Sequence, residues 1–272
     1  MAGGSGGGCG ANWPLCNGDF FPHHPRLATV IEFTHRSSSG ICSFLTIALA
    51  VWTFRRTGKG HPARKAILWS AFFLVMEALL GAALVLRHWV ESNVSTGRTI
   101  AQSVHFTNTL LLMGSLALTA WFLRGEPARP AMMGGSRRTA WLAVLATILV
   151  GATGSLAALA DTLFPSKTLL AALQADLAAD APVLIRMRWM HPAAALLSLW
   201  AVALLLRSLP CWNGAARWVC GLLAAQFVLG IGDVLLLAPT WMQVLHLLGA
   251  DLYWVALVVL AAGVVWPQAD TT

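Results

Sequence analysis

Four of the eight histidines, His35, His105, His191 and His246, each stand near the start of a long apolar stretch. Histidine is costly in lipid, and inside a membrane span it faces a bundle interior or a partner. One imidazole from each of two helices can supply two axial nitrogens to a flat iron macrocycle held between them. Zinc more often takes three or four ligands converging on one point, commonly with an i, i+4 pair, and the sequence has no such histidine pair. The pattern predicts histidine-ligated haem rather than zinc, against the alternative of hydrogen-bonded structural histidines. His23, His24, His61 and His88 fall in loops and are assigned no ligand role.

The residues three positions before two of these histidines differ in sign. Glu32-Phe33-Thr34-His35 carries a carboxylate and Arg188-Trp189-Met190-His191 a cation, each on the face of its histidine. A cation beside a macrocycle can pair with propionates and anchor a permanent cofactor. A carboxylate there would repel propionates and suits proton handling at a reacting edge. The first half therefore reads as chemical and the second as prosthetic; pairing of Glu32 with Arg36 alone is the alternative. Glu77 and Gln226 read as interhelix hydrogen-bonding groups, with a catalytic role for Glu77 the lesser alternative. Asn108 and Asp251 stand near the histidines as residues that could orient them, or as ordinary helix contacts.

The elements that must position these residues are legible from hydropathy. The chain has 272 residues, is 57% hydrophobic and 11% charged, and has a mean hydropathy of +0.69. That is far more apolar than a domain whose surface faces water. Stretches long enough to cross about 30 Å of hydrocarbon as helix lie at 28–54, 66–87, 101–123, 139–160, 190–207, 218–237 and 243–266. The predicted fold is an all-α polytopic membrane protein with seven transmembrane helices in contact with lipid.

The formal charge of +7 reports topology rather than a nucleic-acid partner. Arg55, Arg56, Lys59, Arg64 and Lys65 fill the first inter-helix loop, Arg124, Arg129, Arg137 and Arg138 the third, and Arg207 and Arg217 flank the fifth. The positive-inside rule makes those loops cytoplasmic, with the N-terminus and the loops at 88–100, 161–189 and 238–242 outside and the C-terminus inside. All four span-head histidines then lie near the outer surface at similar depth. Cys9 and Cys16 lie outside, Cys42 and Cys220 in spans, and Cys211 on the reducing side. One disulfide, Cys9–Cys16, is expected, against two free thiols in a flexible tail. No basic segment followed by an apolar one starts the chain, so no cleavable signal peptide is expected.

The two halves match in order. His35 corresponds to His191, Glu77-Ala78-Leu79-Leu80-Gly81 to Gln226-Phe227-Val228-Leu229-Gly230, and His105 to His246. Thr153-Gly154-Ser155 before Pro165 is echoed by Gly3-Gly4-Ser5 before Pro14, as if the chain began at the end of an equivalent helix. The expectation is two pseudo-repeated bundles with one helix missing from the first, through a misassigned start or a shortened form. Chance recurrence in a Gly-rich leader is the alternative. The organisation expected is an outer segment with the cysteine pair at 1–26, a first half-bundle at 27–123 and a four-helix half-bundle at 139–266.

These residues resemble the haem A synthase family. The likeness rests on Cys9 with Trp13-Pro14-Leu15-Cys16-Asn17-Gly18, on Glu32-x-x-His35-Arg36, on the His105 and His191-Pro192 segments, and on Gln243-x-x-His246-Leu247-Leu248. The resemblance implies oxidation of the C8 methyl of haem O to a formyl group, giving haem A for cytochrome oxidase, by successive hydroxylations with an external electron supply. It implies substrate haem on His35 and His105, catalysis by Glu32, haem b on His191 and His246, and a Cys9–Cys16 disulfide important to activity. A bacterial cytoplasmic membrane and contact with a haem O synthase follow as expectations, the electron donor staying unidentified. The absent first span puts activity in doubt, and a non-catalytic b-type cytochrome is the competing reading. A transporter gains from the repeat but loses to the four matched histidines.

Overall fold

The computed structural model describes residues 7–10, 13–23, 26–125 and 134–267; Gly3, Gly4, Ser5, His24 and Arg129 lie outside them. The described residues fold as α1 (Leu27–Arg56), α2 (Pro62–Leu86), α3 (Thr96–Arg124), α4 (Gly134–Leu163), α5 (Leu169–Leu177), α6 (Val183–Arg186), α7 (Met190–Arg207), α8 (Gly214–Leu235) and α9 (Thr240–Val265). One isolated bridge, Cys16 with Asp19, stands outside the helices. Among the described residues seven segments are long and apolar enough to cross a membrane: α1 to α4, Val183–Arg207, α8 and α9. The chain is an all-α integral membrane protein.

α2, α3 and α8 begin ahead of the apolar stretches, where polar residues cap them. Ser95 accepts from the Arg98 N–H, and Asn213 from that of Ala216. His61, given no ligand role, accepts from the Ala63 N–H through Nδ1 and caps α2, whose first residue is Pro62. The segment 161–189, read as a loop, holds α5 and α6.

α2 pairs with α1 and α3; α4 packs on α7 and α9; α8 packs on α9; and α3 joins the two halves through α4 and α9. Small side chains allow the close approach of α4 to α7, where Ala140, Ala143 and Ala201 are fully buried beside Val202 and Leu205. At the junction of the halves Leu110 packs on Trp254 and Val258, and Trp254 Nε1 donates to the Leu110 carbonyl at 2.8 Å. Hydroxyl pairs add interhelix hydrogen bonds: Ser70 with Ser115 at 2.9 Å and Thr147 with Ser198 at 2.9 Å.

The repeat extends to the backbone. α2 and α8 end alike, with cap residues Arg87 and Leu236 both at φ −89°, ψ 3°. His88 and Leu237 follow in left-handed conformation, φ 54° and 63°. The Trp89 N–H then closes on the Leu84 carbonyl and the Ala238 N–H on the Asp233 carbonyl, each at 2.8 Å, the longer bond of a Schellman cap. Each cap lies at the same distance along the chain from its counterpart in the Glu77/Gln226 and Gly81/Gly230 pairs. The segments that follow differ in length, with α3 starting at Thr96 and α9 at Thr240, so the likeness is in the caps themselves.

Candidate functional site

The second half brings its two histidines together. His191, in the first turn of α7, and His246, in the second turn of α9, have ring centres 6.3 Å apart and planes at 86°. Two imidazoles that each bind one metal at about 2.1 Å place their ring centres roughly 6–6.5 Å apart. His191 Nδ1 lies 3.2 Å from the Val150 carbonyl of α4. A donor Nδ1–H there leaves Nε2 as the free lone pair, the arrangement of metal-binding histidines. Among the described residues no cluster of three or more His, Cys, Asp or Glu has metal-site geometry, so the pair suits a macrocycle that supplies its own in-plane ligands.

Glycines make room for the rings. A Cβ on Gly154 would stand 2.9 Å from His191 Cε1, and one on Gly230 3.3 Å from His246 Cε1. The Gln226 amide, with its atoms assigned from their partners, accepts from the Ala250 N–H at 3.1 Å. It turns its nitrogen to the His246 carbonyl at 3.1 Å and to His246 Nδ1 at 3.3 Å. Three residues past Gly230 on α8, Asp233 Oδ1 is buried without a hydrogen-bond partner among the described residues.

Arg188, offered by the sequence as a partner for propionates, is held by protein carboxylates. Its guanidinium pairs with Asp161 at 2.7 Å and Asp176 at 2.7 Å, and Nη2 donates to the Ala172 carbonyl at 3.2 Å. The end of α4, α5 and the approach to α7 are thereby tied together one turn before His191.

In the first half, His35 on α1 is exposed and His105 on α3 is partly buried. His105 Nδ1 is 3.4 Å from Glu77 Oε1, without hydrogen-bond alignment. Glu77 accepts from Asn108 Nδ2 and Thr109 Oγ1, both at 2.6 Å, and Asn108 also donates to the Phe73 carbonyl at 2.8 Å. Glu77 is thus the interhelix group the sequence suggested, and Asn108 reaches His105 only through it. Gly81 faces His105 as Gly230 faces His246, with 3.9 Å to Cε1 from a Cβ placed there.

Glu32 is fully buried. It pairs with Arg36 at 2.5 Å, the contact the simpler reading required, and its Oε2 also accepts from the Cys9 N–H at 2.9 Å. Cys9 and Cys16 form the expected disulfide, with Cα atoms 4.3 Å apart. Arg36 donates to the Leu15 carbonyl at 2.5 Å and the Gly10 carbonyl at 3.4 Å, while Thr29 Oγ1 donates to the Gly8 carbonyl at 2.9 Å. The disulfide loop is therefore seated on the first turns of α1, over Glu32.

Sequence reasoning missed Gly154 as a ring cradle and Asp161 and Asp176 as the partners of Arg188. The available signals were the glycines on the helices that precede the histidine-bearing ones, and the acids Asp161, Asp176 and Asp180 ahead of Arg186 and Arg188 in 161–189.

An all-α membrane protein in which His191 on α7 and His246 on α9, one histidine from each of two helices, come together is the class that fold and site define. The chain belongs to the cytochrome oxidase assembly protein family (COX15-CtaA), whose profile matches residues 25–258. It is 42% identical over 265 residues to a protoheme IX farnesyltransferase of Thermus thermophilus, an alignment covering 95% of this chain and 44% of that protein. A heme A synthase of Bacillus licheniformis is 38% identical over 115 residues, 42% of this chain and 35% of the relative. One of Halalkalibacterium halodurans is 33% identical over 129 residues, 47% and 41% of the two chains. The chain spans less than half the length of these curated relatives. No solved structure matches.

Proposed function

We propose that the chain works as a haem A synthase, oxidising the C8 methyl of haem O to a formyl group by successive hydroxylations to give haem A. Support comes from the family, from relatives named heme A synthase, and from the exposure of His35 where its counterpart His191 is partly buried. The observation that carries the reading is the 6.3 Å spacing of His191 and His246, at which the two imidazoles would hold one haem iron between them. When bound there, haem b supplies one-electron transfer.

His191 and His246 would hold that cofactor, with the Val150 carbonyl fixing the His191 tautomer and Arg188, clasped by Asp161 and Asp176, bracing the approach to α7. In the first half-bundle, at 27–123, His35 and His105 bind substrate haem. The exposure of His35 on α1 leaves that pocket open sideways to lipid, the phase from which a farnesylated haem arrives. Glu32 moves the proton at the reacting edge, and the Cys9 N–H and Arg36 hold its carboxylate in one orientation. The basic loops face the cytoplasm, the N-terminus and both pockets the outside, and the C-terminus the inside, in a bacterial cytoplasmic membrane.

Contact with a haem O synthase is part of the proposal. It is supported by a Thermus relative that is named a farnesyltransferase of protohaem and is more than twice as long as the region it shares with this chain.

The test is expression with a haem O synthase followed by analysis of extracted haems. Hydroxylated and formyl haem are expected. Haem O alone, from a folded protein with an intact haem b spectrum, would favour the non-catalytic cytochrome.

A further inference from the structure

Arg98 lies seven residues before His105, two turns earlier on α3 and on the same face. At 1.5 Å per residue it stands about 10 Å along the helix from the histidine, toward the helix start. It is only 5% exposed. A buried cation near a membrane surface calls for a counter-charge. Yet among the described residues no carboxylate lies within ion-pair distance. Nη1 is tethered by two neutral groups, the carbonyls of Glu91 and, at 2.8 Å, Asn93. Nε is buried with no hydrogen-bond partner. The guanidinium is held in place through Nη1 while buried Nε lacks an acceptor among the described residues, in the first turn of a 29-residue helix whose N-terminal end favours anions.

The repeat gives this position meaning. The residue seven before His246 is Pro239, so the second half has no cation there. Its cation is Arg188, three before His191, where the first half has Glu32. There Arg188 is clasped by Asp161 and Asp176, whereas Arg98 has no carboxylate within ion-pair distance among the described residues. Arg36, the other arginine near the first pocket, is engaged with Glu32 and the disulfide loop.

We propose that Arg98 is the carboxylate-binding residue of the first pocket. It receives the propionate edge of the haem on His35 and His105 through its fork of N–H donors, and turns that edge toward α3 and away from Glu32. This rests on the reading of that pocket as a haem site. It makes Arg98 a positioning and specificity residue, selecting free-acid haems and fixing which edge of the macrocycle meets Glu32.

The test is titration of the detergent-solubilised full chain with iron protoporphyrin IX and with its dimethyl ester, counting only the binding that His105→Ala abolishes. The wild-type chain is expected to bind the diacid at least about tenfold more tightly than the ester, the order of one or two charge-assisted hydrogen bonds. Arg98→Gln should bind both alike, at the affinity of the ester, and Arg98→Lys should keep at least a threefold preference. The low-spin spectrum of the haem on His191 and His246 reports folding of each variant. A wild-type chain without the preference overturns the proposal whatever the variants do. So does an Arg98→Gln chain that keeps the preference, or a folded Arg98→Lys chain that loses it. If His105→Ala leaves haem binding of the wild-type chain unchanged, the reading of the first pocket fails instead, and Arg98 has no ligand to hold.

Discussion

The Cys9 backbone N–H donates to Glu32 Oε2 at 2.9 Å, so the disulfide loop and the buried carboxylate form one unit. The loop ends at Cys16, next to Leu15, whose carbonyl accepts from Arg36, the same cation that pairs with Glu32. Opening the Cys9–Cys16 bond frees the loop to leave α1 and removes one of the two groups that fix the carboxylate.

Cys9→Ser with Cys16→Ser is therefore expected to lower formyl-haem yield by about tenfold or more, since displacement of a positioned group by about 1 Å can cost a hundredfold in rate. The absorption spectrum of the second-half haem should not change. The checks are extracted-haem analysis and spectra on the same membranes, and a second-half spectrum that collapses with the loop would contradict this division.

The glycine cradles make a graded prediction. A Cβ at Gly154 meets His191 Cε1 at 2.9 Å, at Gly230 it meets His246 Cε1 at 3.3 Å, and at Gly81 it meets His105 Cε1 at an ordinary 3.9 Å. Gly154→Ala should displace the His191 ring and lower the haem content of the purified protein at least twofold. Gly230→Ala should have a smaller effect and Gly81→Ala none. Haem-to-protein ratios after purification test the order.

Glu77 is predicted to be structural. Glu77→Gln, which installs the repeat counterpart Gln226, should fold and retain haem. Glu77→Leu leaves Thr109 with its own helix's His105 carbonyl and Asn108 with the Phe73 carbonyl. A loss of about 1–2 kcal/mol is expected, the scale of polar interhelix contacts in membranes. Thermal denaturation in detergent measures it.

Replacing Arg188 with Leu leaves Asp161 and Asp176 without their shared cation. Breaking such a pair on one side costs more than the pair contributes. Haem loss from the second half on dilution should be faster in Arg188→Leu, and slower again in Arg188→Leu with Asp161→Asn and Asp176→Asn. Timed spectra after dilution into apomyoglobin give the rates.

What was legible in the sequence followed from local signals. Apolar length gave the seven spans, because that signal lies within one helix, and histidines near the starts of corresponding spans in the two halves suggested the pairing of His191 with His246. The segment 161–189 was read as a loop since α5 and α6 are short and their Ala and Leu residues carry no span-length run. The contact of Gly154 with His191 and the clasp of Arg188 by Asp161 and Asp176 depend on how closely α4, α5 and α7 approach. No periodicity within one helix encodes that distance. Glu32 shows the boundary: its proximity to Arg36 is one helical turn and was readable, whereas its hydrogen bond from Cys9 crosses 23 residues and was not.

The central claim, that paired imidazoles hold iron porphyrin in the second half, is tested most directly by reduced-minus-oxidised absorption and low-temperature electron paramagnetic resonance spectra of the purified full chain. Wild type, His191→Ala and His246→Ala are compared. The wild-type chain should show a six-coordinate low-spin b-type haem, and each single substitution should abolish that signal or convert it to high spin. A low-spin signal that survives both substitutions unchanged would contradict it.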